Sequence, residues 1–263
     1  MISSAATPRM FARTVLRRVT LEIAVASTSG ARAARAGGAD RVELCVGLEL
    51  GGLTPSQGLI ESVVAEGLPV HVLIRPRPGD FVFDISDIAV MERETQASLF
   101  SGAAGVVIGA LSSDGSLDLE VMRRLVEVAH SAHPDASVTL HRAIDQARDP
   151  VAVISTLAGL GINRVLSSGG ASRALDGAKN LSRLVEAAGS IEVMAGGGVT
   201  SDAIPALVAL GVDAVHLSAK RPIPRQSATW VSLGAASAEP DSHFETDATV
   251  VAAARAALDS SGR

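Results

Sequence analysis

The chain has 263 residues, an apolar fraction of 47% and a formal net charge of −5, which together favour one large α/β domain with a sizeable core. Its acidic balance and its low aromatic content, 2%, argue against a nucleic-acid-binding protein. The single cysteine, Cys45, excludes an internal disulfide framework, and no apolar run approaches the ~18 residues of a membrane-spanning helix.

Residues 1–19 differ from the rest of the chain because they carry four arginines and no acidic residue. Such a composition formally resembles an organelle transit peptide. We favour the interpretation that residues 1–19 are a disordered extension, or that translation starts at Met10, over a role in organelle targeting. We expect residues 20–263 to form one barrel domain with a C-terminal tail and helix.

Eight short runs rich in Val, Ile and Leu are typical of buried strands. They lie at residues 20–25, 41–45, 70–75, 105–110, 137–142, 164–168, 191–195 and 214–218. Helical periodicity fills most of the intervals, as at 119–130, 151–160 and 203–210. Strands that alternate with helices predict a parallel sheet, and eight such units predict a closed TIM-type (β/α)8 barrel.

Three segments repeat one junction pattern: GADRVEL at 38–44, GINRVLS at 161–167 and GVDAVHL at 211–217. The glycine is expected to end a helix in the left-handed conformation, and the Asp or Asn to turn the chain into the next strand. The pattern therefore predicts helix-to-strand junctions at the bottom of the barrel.

Side chains alternate between the two faces of a strand, and this sorts the residues of each run. Polar and sulfur-containing side chains fall on the inward face: Glu22, Glu43, Cys45, His71, Arg75, His141, Ser168, Met194, His216 and Ser218. Because the carboxyl ends of barrel strands meet at one mouth, these residues predict a single site there.

Arg75 and Arg77 stand two residues apart on an extended segment that prolines stiffen. Two guanidinium groups on one side suit a carboxylate or a phosphate. The competing interpretation is that they neutralise Glu22, Glu43 and Asp80 within a structural network.

His141 is a candidate general acid/base, because the pKa of histidine lies near working pH, and Asp145 follows it closely. Glu22 and Glu43 can supply a second proton-transfer group or metal ligands. The alternative is that these buried carboxylates form ion pairs with arginines.

The segment MAGGGV at 194–199 follows the seventh strand. Loops at this place bind phosphate through backbone N–H groups in many barrels, although barrel loops also need glycine for tight turns. We predict a ligand site for a small anion from Arg75, Arg77, Arg142, Ser168, Gly169, Gly196, Gly197 and His216.

The inward residues can also form a metal site. The three inward histidines and two glutamates form a nitrogen and oxygen set that suits Zn, Mn or Fe. Cys45 and Met194 add two sulfurs, the ligand type that selects Cu(I).

Six motifs in order are similar to those of the CutC copper-homeostasis family, in register over residues 21–221. They are GADRVELC (38–45), GGLTPS (51–56), IRPRPGDF (74–81), HRAID (141–145), RVLSSGG (164–170) and MAGGGV (194–199). The resemblance implies a TIM-type barrel, a cytoplasmic homodimer and copper handling. Cys45 and Met194 match family positions, whereas Ala24 and Val25 stand where family members often carry cysteines.

Two functions follow. The resemblance implies a protein that binds copper and controls its level, with Cys45 and Met194 as metal ligands. The alternative is a barrel enzyme, such as a lyase or isomerase, that acts on a small anionic or phosphorylated metabolite through His141, Glu43, Glu22 and Asp145. Neither interpretation requires nucleic acid or a membrane.

Overall fold

The eight predicted runs are all strands in the computed structural model, which describes residues 18–223 and 243–261. The strands are β1 Thr20–Val25, β2 Arg41–Leu44, β3 Val70–Leu73, β4 Gly105–Ile108, β5 Ser137–Leu140, β6 Arg164–Ser167, β7 Glu192–Gly196 and β8 Ala214–Leu217. Neighbouring strands are parallel, and β1 pairs with both β2 and β8, which closes the sheet. The predicted (β/α)8 barrel is confirmed.

Helices cover the outside of the barrel. They are α1 Thr28–Ala36, α2 Gln57–Val64, α3 Ile85–Phe100, α4 Leu119–Ala132, α5 Pro150–Leu157, α6 Ala178–Ala187, α7 Ile204–Ala209 and α8 Ala248–Ser261. Acidic caps begin several of them, and the side chain of Asp84 accepts two backbone N–H groups at the start of α3, each at 2.8 Å. Short 3-10 helices extend α5 at Ala158–Leu160 and precede α7 at Ser201–Ala203.

The predicted junctions form at the bottom of the barrel. Their glycines have the expected positive φ: Gly38 at 88°, Gly161 at 81° and Gly211 at 85°. The acid or amide two residues later does more than turn the chain, because it accepts a backbone N–H from the start of the preceding strand. The pairs are Asp40 with Leu21 at 2.8 Å, Asn163 with Val138 at 2.8 Å and Asp213 with Val193 at 2.9 Å.

Outward strand residues such as Ile23, Val72 and Val215 are fully buried against the helices. The lumen holds charged and polar side chains together with two small apolar clusters. We call Glu22, Arg41, His71, Thr139 and Arg164 the inner layer, and all five are buried.

Beyond the barrel, β9 Lys220–Ile223 pairs with β10 His243–Thr246 in an antiparallel hairpin. Helix α8 packs on α1 and α7, and its Val251 lies so close to Gly37 that a Cβ on that glycine would be 2.5 Å away. None of the helices described in residues 18–223 and 243–261 is long and apolar enough to cross a membrane. Most of the predicted N-terminal extension, residues 1–17, lies outside the described residues.

Candidate functional site

A cavity of about 220 Å³ lies at the carboxyl ends of the strands, and we call it the mouth cavity. Seven of the predicted site residues line it: Glu43, Cys45, Arg75, His141, Arg142, Gly197 and His216. The other seven do not: Glu22, Arg77, Asp145, Ser168, Gly169, Met194 and Gly196. The strand-end pattern therefore gathers half of the predicted residues at one cavity, while the role of each residue depends on its contacts.

Glu22 lies beneath the mouth cavity and is completely buried. Its carboxylate accepts hydrogen bonds from Arg41 Nε and, at 2.9 Å, from His216 Nδ1. Burial alone would raise the pKa of Glu22, but the His216 hydrogen bond and the Arg41 charge hold that pKa well below its usual range. Glu22 is thus a permanently ionised anchor, which disfavours the predicted catalytic role in proton transfer.

Glu43 is buried in the mouth cavity, and its Oε2 has no hydrogen-bond partner within residues 18–223 and 243–261. Burial raises the pKa of Glu43 to about 7, and the nearby negative charge of Glu22 adds to this shift. His216 Nδ1 lies 3.8 Å from Glu43 Oε2. Although burial opposes it, the charges of Glu43 and Glu22 raise the pKa of His216 above its ordinary value. Glu43 therefore titrates near neutral pH, and His216 holds its proton more tightly than an ordinary histidine does.

Glu22, Glu43 and His216 also form a group with metal-binding geometry. One ligand atom from each lies within 4.8 Å of the others. Two carboxylates and an imidazole are ligands for divalent transition metals. Strand register produces the group, because β1 lies between β2 and β8 and places Glu22 directly opposite His216.

His141 has a ring N–H that is available to a ligand. Its Nδ1 accepts the backbone N–H of Ala143 at 3.1 Å, which leaves the ring proton on Nε2, an atom that has no hydrogen-bond partner among the described residues. Burial, together with the charge of Arg75, lowers the pKa of His141 to about 3. The predicted role as a proton-transfer group therefore needs correction, because the neutral ring keeps its proton on Nε2.

The two arginines of the proline-rich segment have different positions. The guanidinium of Arg75 lies under the loops and donates to the carbonyl oxygens of Leu50, Gly52 and Gly79 at 2.9, 3.1 and 2.7 Å. Arg77 points away from the cavity. It pairs with Asp87 of α3 at 2.8 Å and with Asp80 at 3.1 Å. Arg77 is thus removed from the predicted ligand site, because these surface carboxylates hold it elsewhere.

Asp145 holds Arg142 in place. Its carboxylate accepts Arg142 Nε at 2.8 Å, the hydroxyl of Ser167 at 2.6 Å and the backbone N–H of Gly170 at 3.1 Å. Ser168 also donates to this carboxylate and accepts from Arg142 Nη2 at 2.8 Å. Asp145 and Ser168 therefore position Arg142 and are not themselves at the cavity surface, contrary to the predicted catalytic and ligand-contact roles.

Gly169 and Gly196 serve close packing. A Cβ on Gly169 would lie 2.2 Å from the carbonyl oxygen of Gly177, and one on Gly196 would lie 2.5 Å from a Leu166 methyl group. These glycines are needed for backbone approach, which corrects their prediction as ligand contacts.

The two sulfur residues lie in separate apolar clusters of the lumen. Cys45 packs with Leu73 and Val107, and burial, with the charge of Glu43, raises the pKa of its thiol far above the ordinary value. Met194 is completely buried, and its Sδ lies 3.4 Å from Arg41 Nη2, which donates to it. The structure does not bring the predicted Cu(I) ligands into one group.

Arg41 is the important residue that the sequence interpretation missed. It stands two positions before Glu43, so the same alternation that turns Glu43 inward also turns Arg41 inward. Its ion pair with Glu22 bears out the predicted arginine–glutamate alternative for that carboxylate.

Comparison with known proteins agrees with this architecture. The profile of the CutC family matches residues 19–221. A CutC family protein from Rhizobium meliloti is 42% identical over 246 residues, which cover 93% of this chain and 98% of the relative. A CutC family protein from Xanthomonas campestris is 46% identical over 210 residues, with 78% and 85% covered.

Among solved structures, CutC from Streptococcus agalactiae, a protein named for copper homeostasis, matches with a TM-score of 0.70 and 29% identity. The match covers 76% of this chain and 98% of that one. Thiamine phosphate pyrophosphorylase from Pyrococcus furiosus, at 15% identity and a TM-score of 0.57, shares the fold. The sequence and structural matches together show that this chain belongs to the CutC family.

Proposed function

We propose that this chain acts in copper homeostasis by binding a copper ion at the barrel mouth through Glu22, Glu43 and His216. Family membership supports the choice of copper, since the similar Streptococcus agalactiae protein is named for copper homeostasis. The convergence of three potential ligand atoms within 4.8 Å is the observation that carries the site.

The donor set favours Cu²⁺ over Cu(I). Oxygen and imidazole ligands suit divalent ions, and Cu²⁺ binds most tightly among the first-row divalent metals. A thiolate site for Cu(I) fits the described residues poorly. Cys45 has a thiol pKa raised by burial, and Met194 already accepts a hydrogen bond from Arg41.

Protons compete with the metal at this site. Glu43 and His216 bind metal only in their deprotonated forms, and the pKa of Glu43 is about 7. His216 also exchanges its hydrogen bond to Glu22 for the metal when Nδ1 is the ligand atom. Copper affinity should therefore rise between pH 6 and pH 8, with proton release.

Calorimetric titration of the purified protein with CuCl2, together with the EPR spectrum of the complex, tests the proposal. We expect one Cu²⁺ per chain with nitrogen and oxygen ligation. Glu43→Gln and His216→Asn should each weaken binding at least about tenfold, or roughly 1.4 kcal/mol. Cys45→Ala is the matched control and should bind as wild type does.

Two results would overturn the proposal. Absence of Cu²⁺ binding by the folded wild-type protein would remove the function. Loss of binding in Cys45→Ala or Met194→Leu, with Glu43→Gln unaffected, would move the site to the sulfur residues predicted from the sequence.

We also propose a cytoplasmic homodimer. The presence of one cysteine, which is buried, suits a reducing compartment. The family resemblance implies the dimer, and α3 is the face on which we test it, because Ile85 and Phe100 at its two ends are each 70% exposed. Light scattering across a dilution series should give twice the chain mass, and Phe100→Ser should shift the equilibrium toward the monomer. A monomer at every concentration would contradict the dimer.

A further inference from the structure

Arg75 is a buried cation that has no counter-ion in the described part of the chain. The residue is 6% exposed, and the acceptors described for its guanidinium are all backbone carbonyl oxygens. Its Nε has no hydrogen-bond partner, and within the described residues it forms no ion pair with a carboxylate. A buried charge of this kind destabilises the fold unless something supplies the opposite charge.

A second unpartnered donor lies beside Arg75. His141 is 4% exposed, and its protonated Nε2 donates to nothing among the described residues. The ring of Phe81 packs against both groups, with its centroid 5.1 Å from Arg75 Cζ and 4.6 Å from the centroid of His141. The aromatic ring therefore fixes two N–H donors on neighbouring parts of the cavity wall.

The loop after β7 adds further donors. Gly197 and Gly198 have positive φ of 106° and 57°, and both line the mouth cavity. In the described part of the chain, neither of their backbone N–H groups donates to a protein acceptor. Arg142 lies against them, with Nη1 3.3 Å from the position that a Cβ on Gly197 would occupy, and this nitrogen has no described partner.

Several N–H donors of this cavity thus lack an acceptor among the described residues. Glu43 is the one carboxylate among the described residues that line it, while Arg75 and Arg142 bring two positive charges. Asp145 forms an ion pair with Arg142 through Nε, and Nη1 stays available as a hydrogen-bond donor. A site with several unpartnered N–H donors, one of them on a buried arginine, is complementary to an oxyanion.

We propose that the mouth cavity is an oxyanion-binding site, and that its ligand is a small molecule with a phosphoryl group held by Arg142, Gly197, Gly198, His141 and Arg75. The cavity volume of about 220 Å³ is below the ~300–1,000 Å³ of sites for drug-sized ligands, so the ligand has few heavy atoms. None of these donors is a proposed copper ligand, although Glu43 and His216 line the same cavity.

Titration of the wild-type protein with inorganic phosphate at constant ionic strength, followed by amide NMR, tests the site directly. We expect saturable shifts at the amides of Gly197 and Gly198. Arg142→Met should weaken phosphate binding at least tenfold, whereas Arg77→Met, which removes the same charge outside the cavity, should not change it. Acetate should bind the same amides more weakly, because it offers fewer oxygens and less charge.

Several outcomes would overturn the proposal. Phosphate shifts that miss the two glycines, or that do not saturate, would remove the site. Equal phosphate affinity in wild type and Arg142→Met would do the same, and tighter binding of acetate would overturn the phosphoryl assignment. If Arg142→Met fails to fold, the wild-type amide shifts and Arg142→Lys, which we expect to bind more weakly, still decide the question.

Experiments can contradict the copper site and the oxyanion site independently of each other. Arg142→Met should retain Cu²⁺ binding, because Arg142 is not among the three copper ligands. Glu43→Gln should retain phosphate binding, because its carboxyl is not one of the donors. Retention of phosphate binding by a protein that binds no copper would therefore leave this inference standing.

Discussion

The inner layer and the mouth cavity contain similar charged side chains, but those of the inner layer are hydrogen-bonded to one another and several in the mouth cavity are not. In the inner layer, Glu22 is bonded to Arg41 and His216, while Arg164 is bonded to Glu192 at 2.8 Å and to Thr139 at 3.0 Å. In the mouth cavity, single atoms of Glu43, Arg75 and His141 have no hydrogen-bond partner among the described residues. Buried polar groups are normally satisfied, so three unsatisfied ones that line one cavity support the ligand sites proposed there.

The largest expected effect comes from breaking the inner layer. Arg41→Met leaves the Glu22 carboxylate buried without its arginine, and loss of one partner of a buried pair costs about 3–5 kcal/mol. Urea unfolding should report this loss of free energy. The control Arg77→Met removes a partly exposed arginine and should cost no more than about 1 kcal/mol. Equal losses in the two variants would contradict the contrast between the regions.

In the mouth cavity, removal of a buried charge should raise the free energy of unfolding, whereas in the inner layer it lowers it. The pKa of Glu43 is about 7 in the folded protein and near 4.5 when unfolded. The folded state therefore holds a proton that the unfolded state releases between these values, and Glu43 lowers stability as pH rises through this window. Glu43→Gln should remove this loss of unfolding free energy, which reaches at most about 3 kcal/mol above pH 7.

Comparison of the two proteins at each pH cancels the titration of groups that Glu43 does not influence, while His216, whose pKa Glu43 raises, is measured together with it. His71, whose pKa burial lowers to about 4, acts in the opposite direction. Below pH 6.5 the unfolded chain takes up a proton that the folded His71 does not bind, so stability falls as pH falls toward 4. Urea unfolding of wild type and Glu43→Gln from pH 5 to pH 8 should show a difference that grows with pH. A constant difference would show that Glu43 titrates normally.

These two regions also differ in how far the sequence predicts them. Alternation along the strands has period two and is fixed by the pleat, so it correctly brought Glu22, Glu43 and His216 to one place. It assigns a face but not a partner. The Arg41 pair was missed for that reason, although the residue lay in the same pattern.

Beyond the ends of the strands, the two-residue alternation of side chains no longer applies. Arg77 follows β3 by four residues, and Asp87 on a later helix determines its direction. The tautomer of His141 depends on one backbone N–H, that of Ala143. Such contacts are tertiary, which is why the barrel was predictable while individual roles at its mouth were not.

A smaller effect is expected from filling space at the mouth. Gly197→Ala places a Cβ 3.1 Å from Ser168 Cβ and 3.3 Å from Arg142 Cζ, at a φ of 106°. Strain in this region costs about 1–3 kcal/mol. The control is Gly58→Ala in α2, where a Cβ meets nothing within 4 Å; it should stabilise the protein by about 0.5–1 kcal/mol. Thermal unfolding that moved in the same direction for both variants would contradict this contrast.

The smallest expected effect concerns the reactivity of the Cys45 thiol. Cys45 lines the mouth cavity yet packs as an apolar core residue. It is 1% exposed, and burial followed by the charge of Glu43 raises its thiol pKa. Since the thiolate is the reactive form, a thiol reagent should label the native protein more than about tenfold slower than the unfolded chain. Glu43→Gln removes one cause of the raised pKa and should speed native labelling slightly. Rapid labelling of the wild-type protein would instead make Cys45 an accessible thiolate, and the mouth cavity would then offer sulfur as well as oxygen and nitrogen to a metal.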